Sequence, residues 1–464
     1  MERDDLIAEQ PPAATAEDSS VISADVVREV VDALRREDTD FVRRLVGEFH
    51  AADQADLIEQ LSHRMRLLLL DAIRDMLAAE ALPELGEAVR DDVIEHLEPE
   101  ELAAAITELD ADDAAYVLED LNEGDRREVL DSVPDEERAE VEAALGFPED
   151  SAGRLMQRDF IAIPSYWTVG QAIDYMRDTD DLPEDFYEIF VVDPRMKPVG
   201  SVPLNRFMRA KRPVVIEEIM RPDPILIDAN ADQEDVAFQF GQYNLVSALV
   251  VDSEKRLLGV IMVDDIVDVI REEAEEDIML LGGVSEGGVH ESTLRTTRDR
   301  FVWLLANLAT AILASLVIAQ FDASIEQMVA LAILMPIVAS MGGNAGTQTL
   351  TVAVRALGMK ELTASNMLRT VGRELMVGGI NGLLFAAIMG VATALWFQNW
   401  PLGGVIGAAM IINMIVAALA GILVPIGLSR AGVDPAVASS VFVTTVTDVI
   451  GFLAFLGLAA LVLL

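Results

Sequence analysis

The chain has no cysteine, only four histidines and, among its 34 basic residues, only four lysines. Without cysteine there are no disulfides and no thiolate metal sites. The histidines (His50, His63, His96, His290) form no HExxH or related cluster, so the common zinc-hydrolase signatures are absent. Bases are also scarce relative to acids: 79 Asp and Glu leave a formal net charge of -45. A chain this negative repels a polyanion, which excludes nucleic acid as a partner. The N-terminus is acidic and polar and reads as carrying no secretory signal. Such acidity with so little lysine fits a halophilic, high-salt cytoplasm, a statement about habitat.

Despite that charge, 52% of the 464 residues are apolar. The length leaves room for about two or three domains of ordinary size. Charge and apolar content separate along the chain. Residues 301–464 hold six acids (Asp322, Glu326, Glu361, Glu374, Asp434, Asp448) and five bases, a net of -1. The first 300 residues hold the other 73 acids and 29 bases. An acidic soluble module is therefore joined to a nearly uncharged membrane module.

Charge-free length places the membrane helices. Phe301–Phe321 runs 21 residues without charge and Gln327–Val354 runs 28. Leu375–Ser429 runs 55, too long for one helix, and is interrupted near Trp396, Asn399, Trp400 and Pro401, an interfacial turn. The last run, Pro435–Leu464, is 30 residues broken only by Asp448. The total is five spans. Bases precede the first span (Arg295, Arg298, Arg300) and fill the loops after the second (Arg355, Lys360, Arg369, Arg373) and the fourth (Arg430). The positive-inside rule then puts the N-terminal module in the cytoplasm and the C-terminus outside, in a multi-pass protein of the cell membrane.

Polar residues inside the spans carry the chemistry. Asp448 follows 13 charge-free residues and precedes 16 more, with Thr444, Thr445 and Thr447 beside it. An acid at that depth costs several kcal/mol unless it faces water, an ion or a partner. Oxygen ligands of this kind suit a hard cation; a structural acid or a proton relay are the other readings. In Pro336–Thr349 (PIVASMGGNAGTQT), Pro336 can break the helix. Gly342, Gly343 and Gly346 permit close backbone approach or unwinding, and Asn344, Thr347 and Gln348 add neutral oxygens. About one charge per site is little for a dehydrated divalent ion. It fits a site shared by two subunits, or an ion that keeps its water, as magnesium does.

In the soluble module, residues 1–20 read as a disordered acidic tail. From Val21 to about Gly146 the pattern is helical, and between 96 and 138 a turn-and-acid motif recurs every twelve residues, at 96–100, 108–112, 120–124 and 132–136. Each copy opens a short helix, which together predict a small superhelix. From about 154 to 270 a second repeat appears: Val192-Asp193 matches Val251-Asp252 and Gly200 matches Gly259 at an offset of 59, and Met156 matches Met220 at 64. Each unit reads as strand, helix, strand, strand, helix, and the pair is expected to pack face to face as a sensor. No nucleophile–base pair is present, so the chain reads as no enzyme. The helix VDDIVDVIREEAEEDI then carries like charges at i,i+4, which oppose one another unless cations screen them.

Three features in this order, VDDIVDVIREEAEEDI, Met341-Gly-Gly-Asn-Ala-Gly-Thr-Gln348 and Thr447-Asp448-Val449, make the chain resemble the MgtE family of magnesium channels and transporters over nearly its whole length. The resemblance implies a multi-domain membrane protein with an all-α five-span transmembrane domain, a cytoplasmic α-superhelical domain and tandem α/β CBS domains. The expected divisions are a tail (1–20), the superhelical domain (21–150), two CBS domains (151–212 and 213–270), a connecting plug helix (271–298) and the transmembrane domain (299–464). It also implies a homodimer in lipid, with the pore lined mainly by the second and fifth spans of each subunit. Asp448 would bind hydrated Mg2+ at the selectivity site, with Asn344 and the backbone near Gly343 and Thr444 contributing. The sensing acids would be Asp265, Asp268, Glu273, Glu276 and Asp277, partnered on the N-terminal domain by Asp110 and Asp113, and Asp434, at the cytoplasmic start of the fifth span, would also contact an ion. Intracellular Mg2+ bound among them would close the pore. ATP is a further ligand that some family members take at the CBS pair, although no residue here singles out a nucleotide site. The competing functions are an ion-coupled transporter of magnesium, cobalt or manganese, and a CBS membrane sensor that transports nothing.

Overall fold

Apolar residues at helical spacing, cut by acid-rich turns, make the stretch from Ala24 to Leu145 a run of short helices. These are α1 (Ala24–Arg35), α2 (Thr39–Val46), α3 (Ala51–Gln60), α4 (His63–Ile73), α5 (Glu87–His96), α6 (Pro99–Glu108), α7 (Ala111–Glu119), α8 (Glu123–Leu130) and α9 (Asp135–Leu145). The computed structural model describes residues 22–119, 121–179, 182–183, 186–284, 293–437 and 439–463. The acidic tail expected at 1–20 lies outside them. The chain divides into two compact units, Met1–Val267 and Asp268–Leu464.

The twelve-residue repeat is the helix repeat, since α6 to α9 begin at 99, 111, 123 and 135. The same period places Ile106, Leu118 and Leu130, and Val117, Val129 and Val141, in one buried core. Alternate helices pack, α6 on α8 and α7 on α9, as a superhelix requires. Acids occupy the first turn of each of these four helices, where they complement the positive end of the helix dipole. Part of the chain's acidity is thus local helix chemistry. At α6 the Glu101 side chain also accepts the Glu98 N–H, one half of a capping box.

The 59-residue repeat folds as strand, helix, strand, strand, helix in each half. Its first half is β1 (Ala162–Pro164), α10 (Val169–Asp178), β2 (Glu188–Val192), β3 (Pro198–Pro203) and α11 (Leu204–Phe207), followed by the short α12 (Ile216–Ile219) and β4 (Arg221–Pro222). The second half is β5 (Leu226–Asp228), α13 (Gln233–Tyr243), β6 (Ser247–Val251), β7 (Leu257–Met262) and α14 (Val263–Leu281). The sheets run β1-β2-β3-β4 and β5-β6-β7, each with a parallel first pair and an antiparallel hairpin. The 59-residue offset is a hairpin repeat. Asp193 and Asp252 each accept two backbone N–H groups of their own turn, and Met196 and Lys255 take the same left-handed backbone. The methionine repeat exchanges partners, with Met220 against Gly200 of the first sheet and Met156 against Gly259 of the second. Phe190 and Val192 pack with Leu249, Leu257 and Val260, which joins the two sheets face to face.

The helix that follows β7 starts at once, at Val263, so the last helix of the repeat and the start of the expected connecting helix are one element. Of the plug helix expected at 271–298, the part over 285–292 lies outside the described residues. In the second unit α15 (Thr293–Ala319), α17 (Ala330–Gly358), α18 (Met367–Trp396), α19 (Trp400–Arg430) and α20 (Ser439–Val462) are long and apolar enough to cross a membrane, with the short α16 (Asp322–Gln327) between the first two. The turn expected at Trp396–Pro401 separates α18 from α19, with Asn399 capping the Leu402 N–H. The most buried of the five is α19, which packs on α17, α18 and α20. Pro336 does not break the helix: α17 runs through it without interruption. A proline within a long, packed helix loses one hydrogen bond while the neighbouring helices hold the rest.

Candidate functional site

The glycines of α17 serve close approach rather than unwinding. Val338, Gly342, Gly346, Leu350 and Val354, four residues apart, form its buried ridge. A Cβ at Gly346 would sit 2.5 Å from Val443 Cγ1 of α20, and one at Gly421 of α19 would sit 2.6 Å from the Gly346 carbonyl oxygen. Only glycine lets three backbones meet there. The opposite face of α17 is polar and exposed: Ser340, Asn344, Thr347, Gln348, Thr351 and Arg355.

This packing brings the predicted site residues of α17 and α20 together. Gly343 faces Thr444, whose Cγ2 would lie 3.8 Å from a Cβ on that glycine. One turn further along α20 stands the half-buried Asp448. Among the described residues its carboxylate takes no hydrogen bond and no ion pair. The neighbouring hydroxyl protons are committed to backbone carbonyls: Thr444 to Ser440 (2.8 Å), Thr445 to Val441 (2.6 Å) and Thr447 to Thr444 (2.9 Å). Thr347 likewise donates to the Gly343 carbonyl at 3.0 Å, and the Asn344 amide reaches Ser340 Oγ at 3.5 Å. Hydroxyls whose protons are spent this way present lone pairs. The chemistry on offer is oxygen acceptors around one carboxylate, suited to a hydrated cation.

A second group of acids lies within the first unit. Asp110, just before α7, and Asp113, on it, stand near Asp264 and Asp265 of α14. Burial pushes the Asp110 carboxyl up, and Asp159, Asp264 and Glu80 push it further. Burial and the charge of Asp264 raise Asp265 to about 8, even though the Met262 N–H donates to its carboxylate at 3.2 Å. Sequence reasoning passed over Asp112, which is 8% exposed and leaves Oδ1 unpartnered among the described residues. Burial first, then Asp265, Asp113 and Asp110, raise its carboxyl well above the usual range. Its signal was its position three residues before Ala115 and six before Leu118, on the buried stripe of α7. Acids raised by one another's charge gain when a cation enters among them.

In the second unit, Leu280 at the end of α14 packs with Leu350 and Val354 of α17, Ala420 of α19, and Ala436 and Val443. Asp277, one turn earlier, is raised by burial and by the charge of Asp434. Asp434 itself accepts the Ala436 N–H at 2.7 Å. Asp268 pairs with Arg271 at 2.9 Å, Glu273 is half-buried and Glu276 exposed. Among the described residues no three His, Asp or Glu side chains converge into a ready-made metal cage.

Residues 335–458 match the family model described as MgtE, divalent cation transporter. Residues 49–150 match the MgtE intracellular N domain, and 152–212 and 216–272 match the CBS domain. A magnesium transporter MgtE of Thermus thermophilus is 32% identical over 454 residues, covering 93% of this chain and 97% of its own. Another, of Enterococcus faecalis, is 33% identical over 322 residues, covering 69% of this chain and 71% of its own. A crystal structure of the cytosolic domain of the Mg2+ channel MgtE in complex with ATP is 30% identical and covers 52% of this chain and 99% of its own, with a TM-score of 0.49.

Proposed function

Because this chain belongs to the MgtE family of magnesium transporters, we propose that it is a magnesium-selective channel closed by intracellular magnesium. The observation that carries the reading is the polar face of α17 beside the unpaired Asp448 of α20. Polar groups along a membrane helix are costly against hydrocarbon and stable against water. A second copy laid on that face would enclose a watery path and supply a second carboxylate. The pore is therefore a homodimer's, and each chain holds half of its cation site. Mg2+ passes with its inner water, held through water by Asp448, Asn344, Thr444 and the backbone at Gly343, while Ca2+ sheds water more readily and fits a different spacing.

With the acidic unit on the cytoplasmic side, an inward-negative potential drives a divalent ion inward by roughly 4.6 kcal/mol per 100 mV. No coupled ion is required. Gating follows from the acids. When Mg2+ is scarce, Asp110, Asp112, Asp113 and Asp265 repel, as do Asp277 and Asp434 in the membrane unit. When it is plentiful, the ion bridges them, and the seat of Leu280 on α17 and α19 offers α14 a place to hold the pore shut. The test is Mg2+ entry into liposomes holding the purified full chain, driven by a potassium-diffusion potential alone. Entry that follows the potential, with no proton or sodium gradient, is the expected result. Entry that requires either gradient would make the protein a coupled transporter.

A further inference from the structure

Asn413 lies in the middle of α19, within the longest uncharged run of the chain, and is 1% exposed. Its Nδ2 donates to the Val338 carbonyl of α17 at 2.8 Å. Its Oδ1 accepts no hydrogen bond among the described residues. Two glycines make room for it from opposite sides. A Cβ at Gly342 of α17 would collide with the amide, and one at Gly451 of α20 would lie 2.8 Å from Nδ2 and 3.1 Å from Oδ1. A buried amide left half satisfied is unfavourable by comparison with leucine, which fills the same volume without polar atoms. The amide therefore does something that packing alone does not explain.

Its place indicates what that is. Gly342 is two residues from Asn344, and Gly451 is three residues from Asp448. Through one side chain α19 touches both of these levels, so Asn413 sets how far apart, and in what register, the two ion-facing helices stand. We propose that Asn413 is a positioning residue for the cation site, a wedge that fixes α17 against α20 and thereby the spacing of Asn344, Thr444 and Asp448 around the hydrated ion. It touches no ion itself. The inference rests on the reading of Asp448 as the cation site.

The experiment uses the full chain in liposomes, with Mg2+ and Ca2+ entry measured separately. Asn413→Leu keeps the volume and removes the amide. It is expected to raise half-saturating Mg2+ by about tenfold, in line with the loss of a residue that orients an ion ligand, and to lower the preference for Mg2+ over Ca2+. Maximal flux and thermal stability stay near wild type. Gly342→Ala alone should impair Mg2+ entry by crowding the amide, and Asn413→Ala in the same chain should restore maximal flux, because the smaller side chain vacates the space, while half-saturating Mg2+ stays raised because the amide is gone. If Asn413→Leu does not give a monodisperse protein, this reciprocal pair decides. Wild-type half-saturation and selectivity in Asn413→Leu, or no recovery in the double variant, would overturn the proposal. Asp448→Ala is the control that separates the two claims: if flux survives it, the site itself is wrong, whereas if it abolishes flux and the Asn413 variants behave as wild type, only the wedge is wrong.

Discussion

Replacing Asp448 by alanine is expected to reduce Mg2+ entry to that of protein-free liposomes, with expression and thermal stability retained. The carboxylate is the single acid in α20, and its surroundings offer it lone pairs rather than donors. An acid so placed in lipid is unfavourable by several kcal/mol unless water or a cation attends it. Removing it therefore relieves the fold while depriving each half-site of its charge. Asp448→Asn keeps the shape and isolates the charge; it should also lose most Mg2+ entry, while Asp448→Glu should keep more. A variant of either neutral kind that conducts Mg2+ normally would show that the acid is structural, and one that loses stability as well as flux would show the same.

The second large effect concerns closure. If the proposed gating holds, neutralising Asp265, Asp268, Glu273, Glu276 and Asp277 together should leave current flowing at internal Mg2+ expected to shut the wild-type protein. Along α14 these acids stand at spacings where like charges oppose one another, as Glu273 and Asp277 do. To swing a two-state gate from nearly open to nearly shut, bound ions must favour the shut state by about ten-thousandfold, or roughly 5.5 kcal/mol. Several bridging ions can supply that jointly, and the five substitutions remove most of their ligands. Patch-clamp recording with internal Mg2+ titrated reads the effect directly, and normal block in the variant would refute the assignment. The same titration carries a pH dependence. Asp265 is raised to about 8, so lowering internal pH below that protonates it and protons compete with Mg2+, and Asp110 and Asp112 are raised in the same direction. Half-blocking Mg2+ should therefore rise as internal pH falls from about 8 toward 6. A fall, or no change, would place the sensing ions elsewhere.

Much of this organisation is legible in the sequence because its strongest signals are ones of length and period. Five spans follow from charge-free runs, and the end of α18 at Trp396 and the start of α19 at Trp400 follow from an aromatic and proline cluster. The twelve-residue spacing fixes where α6 to α9 begin, since each needs its own acidic first turn. Asp448 is legible because an acid in an apolar helix has no bland surroundings. What stays hidden depends on partners distant in the chain. Asn413 looks like an isolated polar residue in a long run until Gly342 and Gly451 are seen on either side of it. The glycines of α17 fit unwinding and close packing equally well on paper; the backbones of α19 and α20 decide for packing. Asp112 is lost among so many acids, and only its burial distinguishes it from those that serve helix ends.

The absence of cysteine makes the pathway itself testable. Asn344→Cys places a single thiol on the exposed polar face of α17. If that face lines water shared by two copies, a charged methanethiosulfonate reagent added in aqueous buffer should modify the thiol and block Mg2+ current, and a high Mg2+ concentration should slow the modification. A thiol that the charged reagent reaches only after the protein is unfolded, while a lipid-soluble maleimide labels it at once, would put this face against hydrocarbon and contradict the pore.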